Sequence, residues 1–464
     1  MTLLPRSTPE AEGIPSAAIL DFVAAAQEQL ESLHSLMVVR HGRVVAEGWW
    51  SPFAAQHAHM MFSVSKSFTS TAVGLAIDEG RLTLDDRVVD LLPDDLPARI
   101  DPHLAALTVR HLLTMTTGHA TDTVSLADDA PDGNWARTIL AQPLEFAPGT
   151  HYVYNSGASY LLSAILQRLT GERLFDYLTP RLFAPLGIVG ATWETCPRGI
   201  DAGGWGLALT TEQLAAFGQL LLQRGAWNGT QLVPAEWIDE ATAAQVDTSG
   251  TEHDLDGRQG YGYQFWRNRP TGYRADGAFG QFCLVLPETD AVIVLTSALP
   301  VAQRALDLVW EHLLPAFTDG PIPERMSGLA ETLASLTLPT VVGEPSSPTA
   351  ARVAGIRFAF DDPEVTERTE LTAATVEPGL LTIIRGGVST PLAFGHGEWV
   401  ASDDALVRAS GAWVSPGTLV VRAHDVGTPF SRTYTLEFGD DTLTLDIEQN
   451  VAFGDLPHTH LVSR

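Results

Sequence analysis

The stretch Met61-Phe62-Ser63-Val64-Ser65-Lys66-Ser67 contains the only lysine of this 464-residue chain. The chain has 28 lysine plus arginine residues, so the other 27 are arginine. Arginine stays protonated inside proteins, whereas a lysine amine can lose its proton and act as a base. Ser63 and Lys66 are spaced i and i+3, which places both on one face of a helix predicted to begin near Ser63 and to stop at Gly80. The stretch therefore predicts a serine nucleophile with Lys66 as its general base.

Two other segments carry groups that such a nucleophile needs. Residues 148–157, Pro-Gly-Thr-His-Tyr-Val-Tyr-Asn-Ser-Gly, place Tyr154 just before a predicted helix, where it could relay a proton to a leaving group. Residues 276–281, Asp-Gly-Ala-Phe-Gly-Gln, open an apolar strand, and an N–H group there could form an oxyanion hole with the Ser63 N–H. Taken singly, the three segments also fit a surface lysine beside a capping serine, a polar loop and a glycine bulge.

The composition is that of a globular protein with an acidic surface. Hydrophobic residues make up 45% of the chain and charged residues 18%, and the formal net charge is −28. Such a surface repels phosphate backbones and anionic lipid headgroups, so we expect neither nucleic-acid binding nor membrane-surface binding. The N-terminus lacks a signal-peptide pattern and no stretch reaches transmembrane length, which predicts a cytoplasmic protein.

The order of the predicted elements indicates two domains. A helix over 16–33 and two short strands come first, and a mainly helical region follows over about 90–260, with helices over 160–169 and 212–223. Strands over 282–286 and 291–295 and a helix over 302–314 close this part. Strands from both ends of the part should share one antiparallel sheet flanked by helices. We therefore expect an α+β domain over residues 1–317 with a helical insertion.

A change of pattern marks the second domain. Residues 318–350 are rich in Pro, Ser and Gly, which predicts a linker. Beyond them the apolar residues recur with period two, for example Tyr434, Leu436 and Phe438, and later Leu443 and Leu445. We expect residues 351–464 to form an all-β accessory domain, either a sandwich or a barrel.

In combination, these motifs resemble the serine β-lactamase and penicillin-binding protein superfamily. The closest likeness is to its class C-like branch, which includes carboxylesterases, 6-aminohexanoate-dimer hydrolases and D-amino-acid amidases. The resemblance covers about residues 5–316 and implies a β-lactamase-like fold. It implies Ser63 as the nucleophile, Lys66 as its base and Tyr154 as the group that assists proton transfer, with the Ser63 and Gln281 N–H groups as the oxyanion hole. Further residues that could contact substrate are Ser156, Gly280, Phe279 and Trp266.

Two departures from the family pattern bear on the substrate. The second motif is usually Tyr-x-Asn, but here Ser156 ends it, so the amide that contacts substrate is missing or displaced. The third motif usually begins with Lys or His, whereas Ala278 stands in that place. The missing cation would hold the carboxylate of a β-lactam or a peptidyl-D-alanine, so the resemblance implies an ester or amide substrate without that anion. A β-lactamase or D-Ala-D-Ala peptidase, and a non-catalytic ligand sensor, are the alternatives.

No cofactor is implied, and no metal. The pairs His57/His59 and His458/His460 lack a third ligand in register. The two cysteines, Cys196 and Cys283, have neither metal-type nor redox-type spacing. The predicted partner is a small-molecule ester or amide substrate, and the sequence leaves the oligomeric state open.

Overall fold

The computed structural model describes residues 2–127, 130, 132–324, 328–403 and 406–463. The first part of the chain contributes eleven described strands: β1 (Leu33–Arg40), β2 (Arg43–Trp49), β3 (His59–Met60), β4 (Thr192–Trp193), β5 (Leu207–Leu209), β6 (Ala226–Trp227), β7 (Thr230–Gln231), β8 (Trp266–Arg267), β9 (Tyr273–Gly277), β10 (Gln281–Leu286) and β11 (Ala291–Ser297). Six of them form an antiparallel sheet in the order β2-β1-β11-β10-β9-β8. Strands from both ends of this part thus share one sheet.

Helices cover both faces of the sheet. In chain order they are α1 (Ser16–Gln29), α2 (Ser65–Asp78), α3 (Val88–Leu91), α4 (Pro102–Ala106), α5 (Val109–Leu113), α6 (Val124–Ala127), α7 (Trp135–Leu140), α8 (Ser156–Thr170), α9 (Leu174–Leu178), α10 (Ala184–Leu186), α11 (Thr211–Leu222), α12 (Ala235–Thr242) and α13 (Gln303–Leu308). Helices α1 and α13 pack together on one side. Helices α2, α8 and α11 belong to the other side, where the helical region lies.

Alternate residues of the sheet belong to two different hydrophobic cores. In β1, Met37 and Val39 lie in the core shared with the helical region, whereas Leu36 and Val38 lie in the core shared with α1 and α13. Side chains alternate between the faces of a strand, so near-continuous apolar runs are needed when both faces are buried. This is why β1, β10 and β11 read as apolar runs in the sequence.

The predicted helices differ from the observed ones at their ends. Helix α1 ends at Gln29, not at residue 33, because Leu33 already starts β1. The predicted helix at Ser63 begins as a 3-10 turn over Phe62–Val64 before α2 starts at Ser65. The helix predicted over 302–314 starts as α13 and continues as a π turn over Val309–Leu313.

The segment expected to be a linker is packed against the first domain over part of its length. Helix α14 (Leu329–Ala334) lies within it, and Leu336 and Leu338 are buried in the core that contains α1. The backbone of Ser51 bonds to both of these leucines, with Ser51 N donating to Leu336 O at 3.0 Å and Leu338 N donating to Ser51 O at 2.8 Å. Leu336 and Leu338 thus pack in the core beside β2, and the linker bounds 318–350 stay a prediction.

The last part of the chain consists mainly of strands. Helices α15 (Pro348–Val353) and α16 (Pro363–Thr369) accompany β12 (Arg357–Ala359), β13 (Leu371–Glu377), β14 (Leu380–Arg385), β15 (Val388–Ala393), β16 (Val400–Ala401), β17 (Val407–Ser415), β18 (Thr418–Asp425), β19 (Ser431–Phe438), β20 (Leu443–Gln449) and β21 (His458–Val462). Strands β12–β15 form one sheet and β16–β21 another, with a shared apolar core. Isolated bridges at Phe360–Ser463 and Gly395–Ser410 join the margins, giving a flattened, barrel-like sandwich. The predicted fold class is confirmed: a helix-flanked antiparallel sheet is followed by an all-β region.

None of the helices within the described ranges has the length and apolar character that crossing a membrane requires.

Candidate active site

Ser63 lies in a turn whose backbone is strained. Strand β3 leads into the 3-10 turn Phe62–Val64, and Phe62 has φ 47°, in the left-handed region. A bulky residue is uncommon there, and such a conformation costs about 1–3 kcal/mol unless its surroundings enforce it. Met61 N donates to Leu207 O at 2.8 Å, which fixes the segment against β5. The turn presents the half-buried Ser63 side chain at the start of α2.

Lys66 is enclosed and lies next to Ser63. Its side chain is 2% exposed, and its Nζ lies 3.0 Å from Ser63 Oγ, 3.1 Å from Ser156 Oγ and 2.8 Å from Gly204 O. Burial disfavours the charged amine and lowers the pKa of Lys66 to about 7, against the opposing charge of Asp122. A neutral amine at this position can accept the Ser63 proton.

Gly204 lies opposite the amine, where a side chain would fit tightly. A Cβ at Gly204 would lie 3.4 Å from Lys66 Nζ and 3.0 Å from Ser156 O. The Gly204 carbonyl oxygen accepts a hydrogen bond from the amine. This contact orients Nζ between the two serine hydroxyls.

Tyr154 completes the group of reacting side chains. Lys66 Nζ lies 4.8 Å from the centre of the Tyr154 ring, and the ring stacks on Trp266 with centroids 5.7 Å apart. Burial raises the pKa of Tyr154, and the Asp276 and Asp122 carboxylates raise it further, while a hydrogen bond with the Ser63 side chain opposes the rise. Tyr154 therefore keeps its proton at neutral pH and can donate it.

The residues after Tyr154 have different functions from those of the family motif. Asn155 is fully buried and caps α8, with its Oδ1 accepting hydrogen bonds from Gly157 N at 3.0 Å and from Thr123 Oγ1 at 2.9 Å. The amide is thus displaced into a structural position. Ser156 contacts the Lys66 amine instead, and its backbone N–H donates to Asp122 Oδ1 at 2.9 Å.

The free edge of β9 lies against the nucleophile segment. A Cβ on Gly277 would meet Met61 O at 2.2 Å, so only glycine allows this approach. Gly280 N donates to Gly277 O at 3.2 Å, which closes the hairpin between β9 and β10. In a trans peptide the C=O and N–H point in opposite directions, so the Ala278 N–H points away from the hairpin and out from the sheet edge.

Gln281 lies inside the hairpin and not at this edge. It pairs with Gly277 across the two strands, and its side chain donates to Ala278 O at 3.0 Å and to Ser297 O at 2.8 Å. The geometry therefore favours the Ala278 N–H over the predicted Gln281 N–H as the second oxyanion donor.

The other predicted contact residues lie in two places. Ser156 and Trp266 contact Lys66 and Tyr154 directly, and Phe279 at the hairpin tip packs against the Phe62 ring with centroids 5.4 Å apart. Gly280 faces away from these groups, since a Cβ there would meet Ser297 Oγ at 2.3 Å.

Strand β9 also contains an ion pair between two of its own side chains. Arg274 Nε lies 2.7 Å from Asp276 Oδ2, and the arginine is 2% exposed. Its Nη1 also donates to Arg267 O at 2.9 Å and to Asn268 Oδ1 at 3.2 Å. The Arg274 charge is thus compensated within the protein.

The sequence interpretation gives no role to the Asp122 charge, the Gly204 carbonyl or the Arg274–Asp276 pair. Asp276 stands in the predicted strand-entry segment 276–281, and all of them act on Lys66 or Tyr154 from parts of the chain that are distant in sequence. Across the described ranges, no cluster of three or more His, Cys, Asp or Glu residues is arranged to hold a metal ion. The predicted His57/His59 pair contributes His59 to a buried histidine cluster, and both His458 and His460 contact Asp446 Oδ1.

One family model and several known proteins match the sequence of this chain. The sequence model of the family described as Beta-lactamase matches residues 11–314. The 6-aminohexanoate-dimer hydrolase of Paenarthrobacter ureafaciens is 28% identical over 288 residues, covering 57% of this chain and 72% of the relative. Penicillin-binding protein 4 of Amycolatopsis lactamdurans is 28% identical over 363 residues, covering 68% of this chain and 90% of the relative.

A solved structure resembles nearly the whole chain. The octameric penicillin-binding protein homologue from Pyrococcus abyssi superimposes with a TM-score of 0.50 at 16% identity, covering 96% of this chain and 98% of the homologue. At this identity the likeness concerns the fold alone, including the all-β part.

Proposed function

Because this chain belongs to the β-lactamase family, we propose that it hydrolyses an ester or amide bond through an acyl-enzyme formed on Ser63. The observation that carries the proposal is the buried Lys66 amine 3.0 Å from Ser63 Oγ. A serine hydroxyl needs an adjacent base to become a nucleophile, and an amine with a pKa of about 7 is a competent one at neutral pH.

In the acylation step, Lys66 accepts the Ser63 proton as Oγ attacks the carbonyl carbon of the substrate. The carbonyl oxygen becomes an oxyanion, which the N–H groups of Ser63 and Ala278 stabilise. The bond to the leaving group then breaks, and Tyr154 delivers a proton to the departing oxygen or nitrogen. Lys66, which holds the proton from Ser63, returns one to Tyr154, so the charges balance.

In the deacylation step, a water molecule replaces the leaving group. Its proton passes to the same basic pair as its oxygen attacks the ester carbonyl of the acyl-enzyme. Collapse of the second oxyanion breaks the bond to Ser63 Oγ, which takes the proton back from Lys66 and Tyr154, and the carboxylic acid is released. Each turnover consumes one water molecule.

The proposed substrate lacks the carboxylate of a β-lactam. The Arg274 charge is compensated by Asp276, and Asp122 and Asp276 place further negative charge near Tyr154. An anionic group bound at this strand would therefore meet no uncompensated cation. The relative that hydrolyses the 6-aminohexanoate dimer supports a linear amide as one substrate type.

The likeness to a penicillin-binding protein keeps a second candidate, reaction with β-lactams. Intact-protein mass after incubation with a fluorophosphonate and, separately, with a penicillin distinguishes the two. Labelling of the wild type but not of Ser63→Ala by the fluorophosphonate alone supports the proposal. Labelling by both reagents favours the penicillin route, and no labelling favours a non-catalytic sensor. A panel of p-nitrophenyl esters and ω-amino-acid oligomers then identifies the bond that is cleaved.

A further inference from the structure

Four phenylalanines from the two domains meet beside the nucleophile. Phe62 and Phe279 belong to the hydrolase domain, and Phe430 and Phe453 belong to the all-β domain. The Phe453 ring centroid lies 5.0 Å from Phe279 and 5.9 Å from Phe62, and the Phe430 centroid lies 6.1 Å and 6.2 Å from the same two rings. We call these four residues the aromatic rim.

The all-β domain is fixed to the segment that carries Ser63. Met60 N donates to Gly427 O at 2.8 Å, three residues before the nucleophile. Val426 is fully buried in the core formed by α1 and α13. The β18–β19 loop therefore has a defined position relative to the reacting groups.

The two loops that carry the all-β phenylalanines are tied together by Asn450. Its Oδ1 accepts a hydrogen bond from Ser431 N at 2.7 Å, and its Nδ2 donates to Pro429 O at 2.9 Å. These bonds flank Phe430, while Phe453 follows three residues after Asn450. The rim is thus held by backbone contacts and does not depend on ring packing alone.

Both hydrolase members of the rim have strained backbones. Phe279 has φ 63° and Phe62 has φ 47°, and such conformations concentrate at functional sites. Phe62 directly precedes Ser63 and Phe279 directly follows Ala278, so these rings flank the two proposed oxyanion donors. Phe453 is 73% exposed, which leaves a large apolar surface open at this point.

We propose that the aromatic rim binds an apolar acyl group of the substrate, and that Phe453 of the all-β domain sets the preference for acyl length. This rests on the proposed function. Tyr154 protonates the leaving group and stacks on Trp266, so that wall serves the leaving group. The rim lies beside the oxyanion donors and not on the Tyr154 wall, which assigns it to the acyl side of the scissile bond.

The expected size of the effect follows from burial of methylene groups. Each methylene transferred from water to an apolar site strengthens binding by about fourfold. An octanoyl chain has six methylenes more than an acetyl group. If Phe453 covers two or three of them, removing its ring should lower octanoyl selectivity by about 15- to 60-fold.

The test compares Phe453→Ala with Leu456→Ala, an exposed apolar residue of the same loop that makes no ring contact with the rim. The readout is kcat/KM for p-nitrophenyl acetate, butyrate, hexanoate and octanoate. We expect Phe453→Ala to lose at least tenfold on octanoate and less than twofold on acetate, with Leu456→Ala unchanged. Equal losses on all esters, or a loss that appears only when the alcohol is lengthened, would overturn the proposal.

A binding measurement separates this inference from the proposed reaction. In the Ser63→Ala background, calorimetry should show that octanamide binds at least tenfold more weakly when Phe453 is also changed to alanine. If octanamide binding depends on Phe453 but the wild type turns over no ester or amide, acyl binding by the aromatic rim is supported and the proposed hydrolysis is refuted. If the wild type turns over substrate but octanamide binding does not depend on Phe453, the hydrolysis is supported and acyl binding by the rim is refuted.

Discussion

Among single residues, Lys66 determines the pH at which the site can act. With a pKa of about 7, the amine is protonated and unable to accept a proton below that pH, and it is neutral above it. We therefore expect kcat/KM to fall tenfold per pH unit below about pH 7 and to level off above it. Stopped assays on one p-nitrophenyl ester between pH 5 and 9, corrected for background hydrolysis, give this profile.

The Asp122 carboxylate holds that pKa up, so its charge should be visible in the same profile. Asp122→Asn keeps an oxygen to accept from Ser156 N but removes the negative charge. The acid limb, the part of the profile in which kcat/KM falls with decreasing pH, should then move to lower pH. Asp85→Asn, at a side chain that is 83% exposed, is the matched control and should leave the limb in place. A limb that moves to higher pH in Asp122→Asn would contradict the assigned base.

Tyr154 should matter most when the leaving group is a poor one. Tyr154→Phe keeps the stacking on Trp266 and removes only the hydroxyl. Because p-nitrophenolate departs without protonation, we expect a loss below tenfold on its esters and about 10²-fold or more on an amide or anilide. Parallel measurement of kcat on one ester and one anilide with the same acyl group checks this. Equal losses on both would remove Tyr154 from the role of proton donor.

Ser63 and Lys66 could be found from the sequence because they are close together in the chain and Lys66 is its only lysine. The capping role of Asn155 and the position of Gln281 inside the hairpin, on which our proposal of Ala278 as an oxyanion donor rests, could not. Both depend on where a loop or hairpin meets its neighbour, which hydrogen bonds across the fold decide. Likewise, the Gly204 carbonyl reaches Lys66 from a distant loop.

At the level of elements, the spacing between β9 and the nucleophile turn is set by Gly277. A methyl group there would meet Met61 O at 2.2 Å, a backbone atom that cannot rotate away. We expect Gly277→Ala to destabilise the protein by about 1–3 kcal/mol through overpacking and to lower kcat more than tenfold by moving the Ala278 N–H. Urea unfolding and steady-state kinetics measure the two effects.

The control for this change is Gly250→Ala. Nothing lies within 4 Å of a Cβ at that position, and its backbone is not left-handed. It should therefore change neither stability nor kcat. If Gly277→Ala behaved in the same way, the close approach of β9 to the turn would not be required for catalysis.

Elements were predictable where a strong local pattern decided them. Strands β10 and β11 are apolar runs on either side of a Pro-Glu-Thr-Asp turn, and β19 and β20 alternate with period two, so all four were placed within a few residues. The Pro, Ser and Gly content of residues 318–350 predicts a linker, and these bounds stay a prediction. The buried leucines of this segment act through contacts with the sheet, which composition does not reveal.

For the whole molecule, a histidine cluster at the contact between the two domains makes stability depend on pH. His34 Nδ1 lies 3.0 Å from His59 Nε2, and the His424 ring lies 6.5 Å from the His34 ring. Burial lowers the pKa of His34 well below its usual value, that of His59 to about 4 and that of His424 to about 3, where Arg422 adds to the effect. His59 and His424 are neutral in the folded protein at pH 5, and burial favours the neutral form of His34 as well.

The direction in which folding stability changes with pH follows from the number of protons that each state binds. In the unfolded chain these histidines titrate near 6.5, so between pH 6.5 and 5 the unfolded state binds more protons than the folded one. Folding stability is therefore fully present above pH 6.5 and is lost as the pH falls, by about 1.4 kcal/mol per pH unit for each histidine. The free energy of unfolding in urea should decrease steadily from pH 7 to pH 5.

His424→Gln tests the origin of this slope. The variant removes one histidine of the cluster, so the slope between pH 6.5 and 5 should be shallower by about 1.4 kcal/mol per pH unit. His396→Gln, at an exposed histidine, should leave the slope near that of the wild type. Identical slopes in all three proteins would show that the cluster does not carry the pH dependence.

The hydrogen bond from Met60 to Gly427 has a consequence for how such a protein can diversify. The residues proposed to cleave the bond lie within the first 300 positions. Two of the four phenylalanines of the aromatic rim, in contrast, come from the all-β domain. Mutations in the β18–β19 and β20–β21 loops can then change which molecules are processed while the reacting groups stay as they are. Natural selection or protein engineering can therefore change substrate preference through the all-β domain without changing the reacting residues.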